Sequence, residues 1–199
     1  MSNENNRTIQ SYEARSSEYL AGTVQEVVGP MKEWFDHSLE GLPFDAKIFE
    51  IGSGTGRDAE YLQSQGYAVH CSDATQSFVD ILSAKGLSVR SLNIITDSIE
   101  GNYDAIIANA VLLHFTDEET QLVLHKVLNA LNDSGRFAFS VKVGEGDAWT
   151  DGKIGLPRYF NFWDEETLRL LLDEVGFRSV SVVTTGKAQN TWLMVTAYK

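Results

Sequence analysis

The chain has a single cysteine, Cys71, among its 199 residues, so no internal disulfide can form. No apolar run approaches the roughly 18 residues that a membrane span requires, and the opening MSNENNRTIQ has no apolar core of the signal-peptide kind. A cytoplasmic protein without a membrane partner is therefore expected. Basic charge is also scarce. There are 16 Lys and Arg against 28 Asp and Glu, the formal net charge is -12, and no two basic residues are adjacent. Nucleic acids and anionic membrane surfaces are polyanions and would be repelled, so small molecules or proteins are the expected partners. Metal and serine-nucleophile signatures are missing too. His37, His70, His114 and His125 lack a paired-ligand spacing such as H-E-x-x-H, and neither S-x-x-K nor G-x-S-x-G occurs, so no metal is expected.

What is present is alternation. AKIFEIG is a short apolar run ended by glycine, followed by RDAEYLQSQG with helix-forming composition and Gly66 as a cap. YAVHCSD, LSVRSLNI, YDAIIANA and GRFAFSVKV read as further strands, separated by ATQSFVDILSAKG, closed by Gly86, and by TDEETQLVLHKVLNALN. Strands alternating with helices of this length imply a parallel, doubly wound α/β sheet. The last third departs from this rhythm. After DEETLRLLLDEVG, the β-rich runs FRSVSVVTT and TWLMVTAYK are separated only by GKAQN, which permits a hairpin and no crossover, so one of them runs antiparallel to the rest. Residues 7–42 read as mostly helical with a break around Gly29 and Pro30. The expectation is one domain, with a helical cap at 1–43 and a core at 44–199, large enough to bury one substantial core.

The most informative stretch is IFEIGSGTGRDAEYL, residues 48–62. Gly52, Gly54 and Gly56 allow a ligand close to the main chain at the carboxyl end of the first strand, where α/β sheets bind ligands. The dinucleotide fingerprint G-x-G-x-x-G would need its third glycine where Arg57 stands. Preceded by Glu50, EIGSGTG instead resembles the first motif of class I S-adenosylmethionine-dependent methyltransferases. That resemblance, over about residues 45–199, implies a seven-stranded, mostly parallel, Rossmann-like sheet in the order 3-2-1-4-5-7-6 with the last strand antiparallel. It implies S-adenosylmethionine as cofactor and S-adenosylhomocysteine as product. Contacts are then expected from Glu50, Gly52, Ser53, Gly54, Thr55, Gly56 and Arg57; Tyr12 and Tyr19, seven apart on one face of the N-terminal helix, suit closing over the ligand and equally suit packing of the cap on the sheet.

The resemblance continues at fixed offsets. Asp73 ends the second strand 17 residues beyond Gly56 and, with Ala74, matches the ribose position, where a carboxylate accepts from a diol; the same aspartate also suits a helix N-cap. In SLNI, Asn93 and Ile94 match the adenine edge, with asparagine where many relatives have aspartate. ANAVLLH after the fourth strand nominates Asn109 and Ala110 as cofactor contacts and His114 as a base near the reacting methyl, or as a structural histidine. GRDA, ANAVLLH and RYFNFWDEETLRLLLDEVGF are similar to those of small bacterial methyltransferases.

The acceptor side must come from elsewhere. GEGDAWTDGKIGLPRYFNFWDEE follows the fifth strand, is long for a connection and is rich in aromatics, as lids often are. Arg158 is expected to pair with an acceptor carboxylate, and Tyr159 and Trp163 to shield the reaction; the aromatics also suit packing against the last helix. The reading is methyl transfer to a small-molecule acceptor. A non-catalytic S-adenosylmethionine-binding protein and a nicotinamide-dependent oxidoreductase stand as alternatives.

Overall fold

A computed structural model of the chain describes residues 2–187 and 190–199. Seven strands form one sheet: β1 (Lys47–Ile51), β2 (Ala68–Asp73), β3 (Val89–Ser91), β4 (Tyr103–Ala108), β5 (Leu131–Lys142), β8 (Ser179–Thr185) and β9 (Trp192–Tyr198), in the order β3-β2-β1-β4-β5-β9-β8. β1 pairs in parallel with β2 and β4, β2 with β3, and β4 with β5, while β9 is antiparallel to both β5 and β8. This is the expected order and the expected reversed last strand. Residues 188 and 189 of the GKAQN connection lie outside the described residues.

Alternation along the strands sends successive side chains to opposite faces, each of which needs its own layer. Phe49, Ile106, Phe137 and Phe139 pack with Val123 and Val127 of α6 (Asp117–Ala130) and Leu168 and Leu172 of α7 (Glu165–Val175). Ile48, Ile107 and Met194 face Trp34 and Phe35 of α3 (Gly29–Leu39), Leu62 of α4 (Arg57–Ser64) and Leu82 of α5 (Gln76–Ala84). The helix ends follow local chemistry. α6 starts at a capping box in which Thr116 and Glu119 satisfy each other's backbone. α7 starts at Asp164 and stops at Gly176, which takes the left-handed conformation.

Four local expectations change. Gly29 and Pro30 open α3, with Pro30 in the first turn where its missing N–H costs nothing; the break precedes them. β3 is reduced to three residues. The helix expected to run to Asn132 ends at Ala130, and β5 begins at Leu131, with a register shift against β4 between Tyr103 and Ala105. The long connection after β5 contains a second, two-stranded antiparallel sheet, β6 (Asp147–Thr150) with β7 (Arg158–Asn161).

The N-terminal segment divides its work. α3 packs on the sheet face, where Trp34 Nε1 donates to the Val195 carbonyl at 3.2 Å and Ser38 Oγ meets Thr196 Oγ1 at 2.6 Å. α1 (Asn3–Ala14) and α2 (Ser16–Ala21) lie by the strand ends, α1 against β7. Among the described residues, no helix is long and apolar enough to cross a membrane.

Candidate functional site

The loop leaving β1 bends through three left-handed glycines, with φ of 68° at Gly52, 52° at Gly54 and 83° at Gly56. Their surroundings differ. A Cβ on Gly52 would stand 2.6 Å from Val111 Cγ2, and one on Gly56 would stand 2.9 Å from Leu82 and Leu87, so both are packing glycines. A Cβ on Gly54 would meet nothing nearer than Tyr19 Cε1 at 3.9 Å. Gly54 therefore fronts open space, while its N–H donates to Asp73 Oδ2 at 2.9 Å.

That space is a cavity of about 110 Å³, open on one side, at the carboxyl ends of β1, β2 and β4, where α/β sheets place their ligands. Of the residues expected from the sequence, Tyr19, Gly52, Gly54, Asp73, Ala74, Asn93, Ile94, Asn109, Ala110 and His114 line it together. Glu50, Ser53, Thr55, Gly56 and Arg57 do not; they form the layer behind the loop. Ser53 N–H donates to the Ser72 carbonyl at 2.9 Å and Gly56 N–H to the Ser53 carbonyl at 2.8 Å, which ties the loop down.

Asp73 is buried, and each oxygen takes one backbone donor: Oδ1 from Thr75 at 2.8 Å and Oδ2 from Gly54. The N-cap of α5 is Thr75, so Asp73 is not the helix cap. Burial raises its pKa, against the backbone donors. Glu50 is 2% exposed, its Oε2 has no hydrogen-bond partner, and burial followed by the Asp58 charge pushes it up to about 8. Arg57 is spent on Asp58, with Nε to Oδ1 at 2.6 Å and Nη2 to Oδ2 at 3.1 Å. Asp58 Oδ2 also accepts from Asn109 Nδ2 at 2.8 Å, and Asn109 Oδ1 accepts from Ser140 Oγ at 2.7 Å. This network fixes the end of β4, where Ala110 holds a φ of 59°, strained for a residue with a Cβ. Asn93 differs from expectation in its bonding: Oδ1 accepts from Ile95 N–H at 3.1 Å and Nδ2 donates to Asn5 Oδ1 at 2.9 Å, joining the β3 end to α1.

The opposite wall comes from α1 and α2, with Phe78 of α5. Tyr12, Tyr19 and Phe78 form an aromatic cluster with ring centroids 5.3 to 5.9 Å apart. Tyr12 Oη lies 2.9 Å from His114 Nε2, and His114 Nδ1 lies 2.6 Å from the Tyr159 carbonyl. A carbonyl only accepts, so Nδ1 carries the proton and Nε2 accepts from the Tyr12 hydroxyl. Arg158 Nη1 donates to the same hydroxyl oxygen at 3.1 Å. Burial, more than the Arg158 and Lys142 charges, pushes His114 down to about 3, so it is neutral and a poor proton acceptor; burial also raises Tyr12.

Of the acceptor-side expectations, Arg158 reaches the wall through Tyr12. Tyr159 contributes backbone rather than ring: its N–H donates to Thr8 Oγ1 at 3.0 Å, and its ring packs on Trp149 with centroids 5.7 Å apart. Trp163 does not line the cavity and belongs to the core with α7. Sequence reasoning missed Asn5, Thr8 and Ile9, which line the cavity beside Tyr12. Their spacing of three and four was readable, but a polar helix face reads as solvent-facing, whereas Asn5, Thr8 and Ser11 are buried against Asn93, Tyr159 and Pro157. Among the described residues, no group of three or more His, Cys, Asp or Glu is placed to hold a metal ion.

Residues 49–137 match the model of a family described as a methyltransferase domain. No curated protein matches the chain. Among solved structures, 1,6-didemethyltoxoflavin-N1-methyltransferase of Burkholderia thailandensis, with bound 1,6-didemethyltoxoflavin and S-adenosylhomocysteine, superposes with a TM-score of 0.75 at 21% identity, covering 100% of this chain and 91% of that one. A DhpI-SAM-HEP complex gives 0.77 at 18% identity, covering 99% of each chain. Magnesium protoporphyrin IX methyltransferase of Synechocystis PCC 6803, with bound SAM, gives 0.66 at 16%, covering 100% and 85%. The chain has the fold of these class I methyltransferases.

Proposed function

We propose that this chain, which carries a methyltransferase domain over residues 49–137 on the class I fold, binds S-adenosylmethionine in the cavity and transfers its methyl group to a small-molecule acceptor. The observation that carries the reading is the open space before Gly54 beside the buried Asp73 carboxylate. These residues fit the cofactor. Each Asp73 oxygen has used one acceptor site on a backbone N–H and keeps another for a ribose hydroxyl. Ile94 and Leu92 give an apolar slot for a base, and the bare backbone at Gly54 admits the amino-acid end. When bound, the cofactor supplies a methyl group already activated by its sulfonium.

The protein's own part is then binding, orientation and exclusion of water. Tyr12, Tyr19 and Phe78 line the cavity as one aromatic cluster that helps to keep water out. Holding the acceptor in line contributes on the order of 7 kcal/mol or more. His114, neutral and anchored at both nitrogens, orients the Tyr12 hydroxyl rather than accepting the acceptor's proton. A low-molecular-weight acceptor is supported by the scattered basic residues and the net charge of -12. The bound 1,6-didemethyltoxoflavin in one structural neighbour agrees with this.

The test is to incubate the purified protein with S-adenosylmethionine and a fractionated metabolite extract, following S-adenosylhomocysteine by mass spectrometry. Release that depends on a low-mass fraction is expected. Binding of the cofactor without release from any fraction would mark a non-catalytic binder, and release with tRNA or DNA alone would move the acceptor to another class.

A further inference from the structure

Among the described residues, Arg15, Lys32, Arg57, Lys85, Arg90 and Arg169 each have a carboxylate within 4.0 Å. Around α1 and the β6–β7 sheet, Arg7 lies over Trp149 with its guanidinium carbon 4.6 Å from the ring centroid, and three further cations cluster without a carboxylate. Among the described residues, Arg158, Lys142 and Lys153 make no ion pair. They gather on aromatic rings instead. The Arg158 guanidinium carbon lies 5.5 Å from the Tyr12 ring centroid and 5.1 Å from that of Phe160, and Lys142 Nζ lies 5.2 Å from Phe160. Lys153 Nζ stands 4.0 Å over Tyr19 and donates to Thr23 Oγ1 at 3.0 Å.

Arg158 is 5% exposed, and its Nε has no hydrogen-bond partner. Its one bond runs to the Tyr12 hydroxyl, a group already engaged with His114. Arg136 is also buried with an unpartnered Nε, but its Nη1 is held by two backbone carbonyls, Ser38 at 3.1 Å and Glu40 at 2.8 Å, where Arg158 has only a shared hydroxyl. Ring faces offset part of the cost of burying a charge, but they do not satisfy N–H donors. Three like charges in one neighbourhood also repel, and the Arg158 charge adds to burial in lowering the pKa of Lys142. An oxyanion answers both deficits, taking paired bonds from the guanidinium fork and neutralising the two ammonium groups.

Resting on the methyl-transfer reading, we propose that the acceptor carries an anionic group, held by Arg158 with Lys142 and Lys153 around the rings of Tyr12, Tyr19 and Phe160. Tyr12 and Tyr19 also line the cavity, so the bound anion belongs to a molecule that reaches the methyl donor's chamber. Selection of the acceptor then lies in this wall and not in the glycine loop.

The test is a calorimetric titration of the protein with inorganic phosphate and, separately, with acetate, with and without saturating S-adenosylhomocysteine. Saturable binding of at least one anion is expected, and the tighter arm names the class, phosphate for a tetrahedral oxyanion and acetate for a carboxylate. Arg158→Gln should weaken that binding at least about tenfold through loss of charge-assisted bonds. Lys153→Gln, at an exposed position where folding is not at stake, should weaken it about two- to threefold. In both variants S-adenosylhomocysteine affinity should fall far less than anion affinity, which separates this site from the cofactor reading. Anion titration of the cofactor-free protein reports on the wall even if S-adenosylhomocysteine fails to bind. No saturable binding of either anion to the wild-type protein, or equal binding by wild type and both variants, would overturn the proposal.

Discussion

Across the cavity, the loop between β1 and α4 faces the wall that α1 builds with the β6–β7 sheet, and the two are held by contacts of different range. Gly54 is anchored to Asp73, 19 residues away, through backbone and one carboxylate. Asn5 reaches Asn93 across 88 residues, Tyr12 reaches His114 across 102, Ser11 reaches Pro157 across 146 and Thr8 reaches Tyr159 across 151. The loop therefore keeps its shape once two adjacent strands pair. The wall exists only while α1 is docked, and the bonds that dock it are individually modest, about 0.5–1.5 kcal/mol each. A site with one fixed and one removable side can admit a cofactor and then close over it.

The comparison breaks most completely at Gly54. Valine there faces a φ of 52° and projects into the space assigned to the cofactor. Gly54→Val should weaken S-adenosylhomocysteine binding more than about a hundredfold, or about 2.8 kcal/mol, while the circular dichroism of the folded domain persists. Normal binding would mean that the ligand does not approach this loop. Asp73→Ala should follow with at least a tenfold loss, from two charge-assisted bonds of about 1.5–3 kcal/mol each. It also strands the Gly54 and Thr75 N–H groups, so melting temperature is measured alongside affinity. Unchanged affinity in a folded Asp73→Ala protein would falsify the ribose assignment.

The same contrast explains what the sequence made legible. The strand–helix alternation, the closing hairpin, the glycine loop and the position of Asp73 are local patterns within some 25 residues, with glycine marking positions where φ is positive; the sheet order, a long-range property, rested on the family resemblance. The loop's division of labour was not legible, because whether a glycine packs on Val111, as Gly52 does, or fronts a cavity, as Gly54 does, depends on β4 and α1. The α1 wall was half visible. Tyr12 and Tyr19 stand out as aromatics seven apart, but Asn5 and Thr8 look like solvent residues until their partners at 93 and 159 are known. Arg57, adjacent to the motif, was assigned to the ligand, yet its guanidinium is committed to Asp58. Trp163, in an aromatic-rich connection, reads as an acceptor shield and is core, because β7 hands the chain directly to α7.

A removable wall should respond to ligand while the loop responds little. Amide exchange in residues 3–14 and 147–161 is expected to slow by about tenfold or more when S-adenosylhomocysteine is added, as the open state is depleted. The backbone of β1 and β2 should change far less. Equal protection of the wall with and without ligand would make it ordinary packing.

The smallest expected effect separates the two sides by pH. On the wall, His114 has a folded pKa of about 3, below its ordinary value, so the unfolded chain binds the extra proton and stability is lost as pH falls from about 6.5 towards 3. Behind the loop, Glu50 has a folded pKa of about 8, above its ordinary value, so the folded chain keeps the proton and stability is lost as pH rises from about 4.5 to 8. Each contributes a slope of at most about 1.4 kcal/mol per pH unit. Between pH 4.5 and 6.5 the two oppose. Glu50→Gln should leave stability rising with pH in that window, and His114→Asn should leave it falling, when measured by urea unfolding. Matching pH profiles for the two variants would show that neither group titrates as described.

The central claim is that the open space before Gly54 takes S-adenosylmethionine rather than a dinucleotide, and parallel calorimetric titrations of the wild-type protein with S-adenosylhomocysteine and with NAD test it most directly. The account predicts saturable one-site binding of S-adenosylhomocysteine and no heat from NAD beyond dilution. Saturable NAD binding, with no binding of S-adenosylhomocysteine, would contradict it.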